Sequence, residues 1–214
     1  MKKRVAVKLW LSFVFLVLFA LWTALVLCVD VREIGPCGSS VGLATLNEAV
    51  HDLIGVNMAL YTVTDALSLI PICVALGFAA LGAYQLLRRG SIRRVDGDIL
   101  ILGVFYILVI GVYLLFEFAV VNYRPVLIEG ALEASYPSST TVLVTCIMLT
   151  ALIRLRSRIK RNSLRGAAAA VIIVFTLFMV GARLISGVHW VSDIIGGALI
   201  SSSLVLMYSA ATDR

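Results

Sequence analysis

Charge is scarce in this sequence: Asp, Glu, Lys and Arg make up 14% of its 214 residues, where a soluble domain uses roughly 25% to cover its surface. Hydrophobic residues fill 61%. A surface so poor in charge faces lipid, which excludes an ordinary water-soluble domain. Histidine occurs only twice, at His51 and His189. The four cysteines, Cys28, Cys37, Cys73 and Cys146, contain no CxxC pair. Metal-ligand material is therefore thin, and neither a metal nor another cofactor is expected. Cys73 and Cys146 lie inside apolar runs and read as small core residues. Cys28 and Cys37 flank one loop and would pair only if it faced an oxidising compartment; the sequence leaves that open. The net charge of +6 is confined to short runs between apolar segments, so it describes topology rather than a nucleic-acid surface.

What the sequence has in abundance is apolar runs. They occupy about 5–29, 59–87, 99–121, 138–153, 167–185 and 191–211, near the length of about 20 residues that crosses a bilayer. The expected fold is an all-α polytopic membrane protein of six transmembrane helices, with 1–214 as a single integral membrane domain. Lys2-Lys3-Arg4 before the first run could introduce a signal peptide. The run exceeds the usual core of about 7–15 residues and no small-x-small cleavage site follows, so an uncleaved anchor is expected. Pro71 inside the second run predicts a kink or a tolerated break. Of 18 basic residues, all but Arg32, Arg124 and Arg183 fall in segments that six spans put on one side. By the positive-inside rule that side is the cytoplasm and holds both termini.

Arg124 and Arg183 then map to the opposite face, where cations are disfavoured and need a reason. Three segments meet there: Asn122-Tyr123-Arg124-Pro125, Tyr136-Pro137-Ser138-Ser139-Thr140, and Arg183 through His189 to Asp193. Arginine offers a planar fork of donors suited to phosphate oxygens. Pro137 with Ser138, Ser139 and Thr140 at a helix start supplies free N–H groups and hydroxyls, an anion seat or simply a helix beginning. His189 and Asp193 stand four apart and share a helical face. A carboxylate behind an imidazole fixes its tautomer and supports it as a nucleophile.

These segments resemble the type 2 phosphatidic acid phosphatase family of integral membrane lipid phosphatases. That family's motifs are K-six residues-RP, PSGH, and SR-five residues-H-three residues-D. Arg124-Pro125 matches the end of the first, Pro137-Ser138 the start of the second, and Arg183, His189 and Asp193 the third at its own spacing. The resemblance implies that His189 attacks phosphorus to form a phosphohistidine, with Asp193 orienting it. Arg124, Arg183 and Ser138 would hold phosphoryl oxygens, with Ser139 and Thr140 beside them, and water would release phosphate without a metal. The implied partners are the bilayer and a membrane lipid substrate. The expected setting is a cytoplasmic membrane, bacterial in type, with the site on the extracytoplasmic side. Nothing in the sequence speaks to oligomeric state.

Four motif positions depart: Glu117 replaces the lysine, Ser139 the glycine and Thr140 the histidine of PSGH, and Ala182 the serine of the third motif. In the family the lost histidine protonates the leaving alkoxide, which a threonine hydroxyl cannot do at neutral pH. A lipid phosphate leaves without that help, since its second ionisation lies near about pH 6. A diphosphate substrate such as a polyprenyl diphosphate is therefore expected to be favoured. Glu117, seven residues before Arg124, has two readings, an ion pair with an arginine or a buried substitute acid, and Tyr136 is a second accessory candidate. Asp65 lies within a span, where an ionisable group is costly; contact with the site and plain structural pairing both remain open. His51 reads as an interfacial residue. Alternatives to the hydrolase are a phosphotransferase and an inactive relative that binds lipid phosphate.

Overall fold

The computed structural model describes residues 2–213. Its helices are α1 (Lys2–Cys28), α2 (Ala44–Ile54), α3 (Met58–Leu67), α4 (Leu69–Arg89), α5 (Gly97–Phe118), α6 (Ser139–Arg158), α7 (Asn162–Ile185) and α8 (Val191–Thr212). Among the described residues, β-structure is limited to isolated bridges. Six helical stretches are long and apolar enough to cross a membrane, α3 and α4 together forming the second, Met58–Arg89. Large apolar side chains such as Trp10, Phe13, Val104 and Leu177 are exposed on their flanks, as a lipid-facing surface requires.

The second span breaks at Ser68. Pro71 has no N–H for the Leu67 carbonyl and its ring crowds that oxygen. The chain responds with a tight turn in which the Ser68 N–H is shared between the carbonyls of Thr64 (3.1 Å) and Asp65 (3.0 Å). The fourth span begins near the expected residue but runs on to Arg158. Its polar last turn is kept helical by Arg154 and Arg158, whose guanidiniums both reach Asp98 on α5 (3.3 and 2.9 Å).

Helix α8 is the centre of the bundle, with α1, α6, α5, α2 and α7 all packed against it. Small residues make this close approach possible. Ser12 on α1 and Ser203 on α8 exchange hydrogen bonds, each hydroxyl reaching the other's carbonyl at 2.8 Å. A Cβ at Gly196 would strike the Tyr136 ring at 2.6 Å, and one at Gly197 would press on Thr141. Phe19, Leu102, Phe105, Val142, Ile200 and Leu204 fill the space around them.

The two ends of the bundle differ. One carries the arginine-rich connections of α4 to α5 and α6 to α7, and is the basic end. The other gathers the loop of residues 30–57, the segment 119–138 and the α7–α8 turn, and is the site end. Helix α2, within the first of these loops, was not anticipated from periodicity. It is held by Asn47, whose side chain donates to the Gly42 carbonyl (2.8 Å) and the Ser192 hydroxyl (2.9 Å) and accepts from the Ser192 N–H (3.1 Å). Cys28 and Cys37, both at this end, are free thiols.

Candidate active site

Segment 119–138 folds back on itself as an irregular hairpin. Arg124 N–H donates to the Glu133 carbonyl (3.0 Å) and Ser135 N–H to that of Asn122 (2.9 Å). This pairing brings Asn122, Arg124 and Ser135 to the same place, against the turn that carries His189. That turn contains Gly187 in a left-handed conformation (φ 67°), pressed so closely on Gly55 that a Cβ would collide with its carbonyl oxygen. Glycine is needed there for both reasons.

His189 is almost fully buried, and so is Asp193. The imidazole Nε2 lies 3.3 Å from Arg124 Nη1, and Nδ1 lies 3.1 Å from the Ser135 hydroxyl. The Ser135 hydroxyl also donates to Asp193 Oδ2. Direct separation of His189 Nδ1 from Asp193 Oδ2 is 3.8 Å, too long for a hydrogen bond. Asp193 Oδ2 takes a second bond from the Trp190 backbone N–H (2.9 Å), which caps the start of α8. Its Oδ1 faces the Asn122 amide and the Ser192 hydroxyl, each at 3.4 Å. Every donor to this carboxylate is neutral.

Arg183 is held along its whole fork. Nε donates to Thr140 Oγ1 (3.0 Å), Nη1 to Thr64 Oγ1 (3.3 Å) and Nη2 to Asp65 Oδ1 (3.1 Å), with the Tyr61 ring 4.7 Å from the guanidinium. Asp65 thus contacts the site through Arg183. Arg124 Nε pairs with Glu133 Oε2 at 3.0 Å. The arginine's carboxylate partner is therefore Glu133, while Glu117, on the exposed flank of α5, lines a narrow crevice with Ser135, Pro137 and Ser139. That crevice, about 20 Å³, has room for roughly one water.

Burial drives the His189 pKa down to about 4, with Arg124 and Arg183 pushing the same way and Asp193 opposing. The ring is neutral at pH 7 and keeps a nitrogen lone pair available.

The remaining sequence candidates divide by role. The Ser138 hydroxyl caps α6, accepting from Thr141 Oγ1 (3.0 Å) and Thr141 N–H (3.4 Å), and the Ser138 N–H fastens to the Asp193 carbonyl (3.1 Å). Ser139 opens α6 and is half-buried. The first-turn amides of Ser139 and Thr140 have no partner within the helix. Tyr136 is buried with its hydroxyl 2.7 Å from Thr23 Oγ1 and its ring between Phe19 and Phe116, so it anchors the segment to α1. His51 lies against the Trp190 ring at 5.4 Å. Ser135 and Glu133 were not anticipated from the sequence, and Asn122 was named there only as the first residue of its segment.

An α-helical membrane protein with an imidazole, a carboxylate and two arginines buried together at one end is the class these features define. The PAP2 superfamily profile matches residues 99–214, more than half of the sequence and all of the segments just described except those that precede α5; the chain belongs to that superfamily. In fold it is similar to the crystal structure of the first transmembrane PAP2 type phosphatidylglycerolphosphate phosphatase from Bacillus subtilis. The TM-score is 0.63 at 16% identity, covering 94% of each chain. No curated protein is detectably similar in sequence.

Proposed function

We propose that this chain, acting as one unit over 1–214, is a membrane phosphatase for a lipid phosphate or diphosphate, with a polyprenyl diphosphate as the favoured class. The observation that carries this reading is a neutral buried imidazole with a guanidinium at Nε2 and a carboxylate behind Nδ1. In the first step His189 Nε2 attacks phosphorus. The N–P bond forms as the bond to the leaving oxygen breaks, its electron pair departing with that oxygen. Arg124 and Arg183, aided by the free amides of the first turn of α6, face the charge that builds on the other phosphoryl oxygens. In the second step water attacks phosphorus. The N–P electron pair returns to Nε2, and the water's protons leave with the phosphate and the medium.

Thr140 supports the substrate assignment. Its hydroxyl accepts from Arg183 Nε at 3.0 Å, so it serves as an anchor for the arginine and supplies no proton at neutral pH. An alkoxide leaving group needs such a proton, and lacking one typically costs about 10²–10⁴-fold. A lipid phosphate leaving from a diphosphate does not. The arginine-rich connections at the far end favour the cytoplasmic side, which supports a site at the extracytoplasmic leaflet.

The test is phosphate release by purified protein from matched lipid mono- and diphosphates, alongside His189→Ala and acid-labile trapping of a phosphoenzyme. The expected result is a clear diphosphate preference, with both turnover and the trapped intermediate lost in the variant. Turnover that survives in H189A sinks the mechanism. Transfer of the label to an added alcohol in place of water identifies a phosphotransferase.

A further inference from the structure

Asp193 reaches His189 only through a third side chain, and the hydrogen-bond directions around that side chain are forced. We propose that Ser135 is a positioning residue that relays the carboxylate to the imidazole and fixes its tautomer; the catalytic half of this inference rests on the phosphatase reading above. An ionised carboxylate can only accept, so the Ser135 O–H points to Asp193 Oδ2. The serine oxygen then has only lone pairs to offer His189 Nδ1 at 3.1 Å, and Nδ1 must carry the ring proton. Nε2 is left bare.

The other side of the ring demands the same tautomer. Arg124 Nη1, 3.3 Å from Nε2, is a donor and never an acceptor. With the proton on Nε2, two donors would face each other there. Ser135 would turn its hydrogen to Nδ1, and its lone pairs would confront the Asp193 carboxylate. Both contacts become repulsive together, in a buried setting where neither is screened. The bare nitrogen is thus turned toward the arginine that faces the phosphoryl oxygens, which is the arrangement an attacking nitrogen needs.

The hydroxyl is also held in place. Ser135 is buried, its N–H is tied to the Asn122 carbonyl, and its neighbour Tyr136 is locked to Thr23 of α1. When Nε2 bonds to phosphorus the ring becomes cationic, and the Nδ1 proton shares that charge with Asp193 through the same bridge. A direct bond across 3.8 Å is not available for this.

The experiment compares Ser135→Ala and Ser135→Thr with the unaltered protein. Threonine keeps the hydroxyl and adds one methyl to a side chain that lines the neighbouring crevice. Turnover of a polyprenyl diphosphate by S135A should fall by about 10- to 1,000-fold, short of the about 10⁴-fold of a fully wrong tautomer, with KM within about twofold. S135T should recover most of the loss. ¹⁵N spectra of the two histidines, assigned with H51Q, should show the Nδ1–H form of His189 in the unaltered protein and S135T, and a mixed population in S135A. S135A with undiminished turnover and an unchanged Nδ1–H signal overturns the relay. If the unaltered protein hydrolyses no lipid phosphate, the phosphatase reading fails alone, because the tautomer comparison still decides the role of Ser135.

Discussion

Arginines and carboxylates gather at both ends of the bundle, but they are partnered by different rules. At the basic end charge meets charge. Asp98 accepts from Arg154 and Arg158 (3.3 and 2.9 Å), and Asp96 from Arg89 (2.8 Å) with Gln85 beside it. The Arg154 guanidinium also covers the Tyr208 ring at 5.3 Å. At the site end the deepest carboxylate, Asp193, is surrounded by neutral donors, and the arginines are turned to an imidazole, two threonines and the rim carboxylates Glu133 and Asp65. Ion pairs of the first kind tie α4, α5 and α6 together. In the second arrangement each arginine keeps a single carboxylate at the rim, Glu133 or Asp65, which the phosphate of the proposed substrate could displace.

The contrast is broken most sharply by removing one carboxylate from each end. Asp193→Asn reverses the hydrogen-bond directions behind His189 and should lower turnover by about 10²–10⁴-fold, while the neutral amide still fills the space and can cap α8. Asp98→Asn should do the opposite. Arg154 is 8% exposed at its side chain and loses its carboxylate there. Breaking a buried pair costs about 3–5 kcal/mol, and an exposed one about 0–1. With Asp98 itself 28% exposed, a loss of about 1–3 kcal/mol is expected. Thermal unfolding in detergent and turnover of the folded fraction measure both. Equal effects of the two variants on turnover would erase the distinction between the ends.

Acid separates the ends next. At the site end His189 is neutral when folded, with its pKa lowered to about 4 from 6.5. The unfolded chain therefore binds the proton first as pH falls. Stability from this group is complete above about 6.5 and is lost between about 6.5 and 4. At the basic end the Asp96 carboxyl is held below its ordinary value of 3.8 by Arg89 and Gln85. Its contribution is present above that value and is lost only as pH falls further. The proposed nucleophile stays unprotonated over most of this range, so kcat/KM should lose its imidazole-dependent activity near pH 4 and not near 6.5. Ring titration of His189 by NMR gives the midpoint directly, and one close to 6.5 contradicts the buried setting.

How far the sequence alone foretold this arrangement depends on the range of each interaction. The spans were legible because hydropathy is local, and Arg124, Arg183, His189 and Asp193 stood out as polar residues in apolar surroundings at telling intervals. Span ends were legible only approximately: α6 continues past residue 153 because Asp98 waits for its arginines. Helix α2 was invisible, since Asn47 makes sense only once Ser192 is beside it. Ser135 was invisible for the same reason. One serine among many becomes a bridge when a hairpin sets it between His189, 54 residues on, and Asp193, 58 residues on. Glu117 offered an ion pair with an arginine or a buried substitute acid, but it stands exposed at the end of α5, and Arg124 pairs with Glu133 across the hairpin.

The smallest expected effect sharpens the comparison furthest, because it removes a carboxylate from an arginine at the site end as Asp98→Asn does at the basic end. In Asp65→Asn, Arg183 keeps Thr140 at Nε, Thr64 at Nη1 and the Tyr61 ring, so its orientation survives. Asp65 is 61% exposed at its side chain, and an ion pair of that kind contributes about 0–1 kcal/mol. Stability should change little. Under the proposed function, however, the substrate's phosphoryl group competes with Asp65 for the same guanidinium, and the variant removes that competitor. KM for a lipid diphosphate should fall by up to about fivefold, the equivalent of about 1 kcal/mol, with turnover nearly unchanged and the gain shrinking as salt screens the rim. A rise in KM with a loss of thermal stability would instead make Asp65 a structural partner of the Asp98 kind, and the two ends of the bundle would be built on one rule.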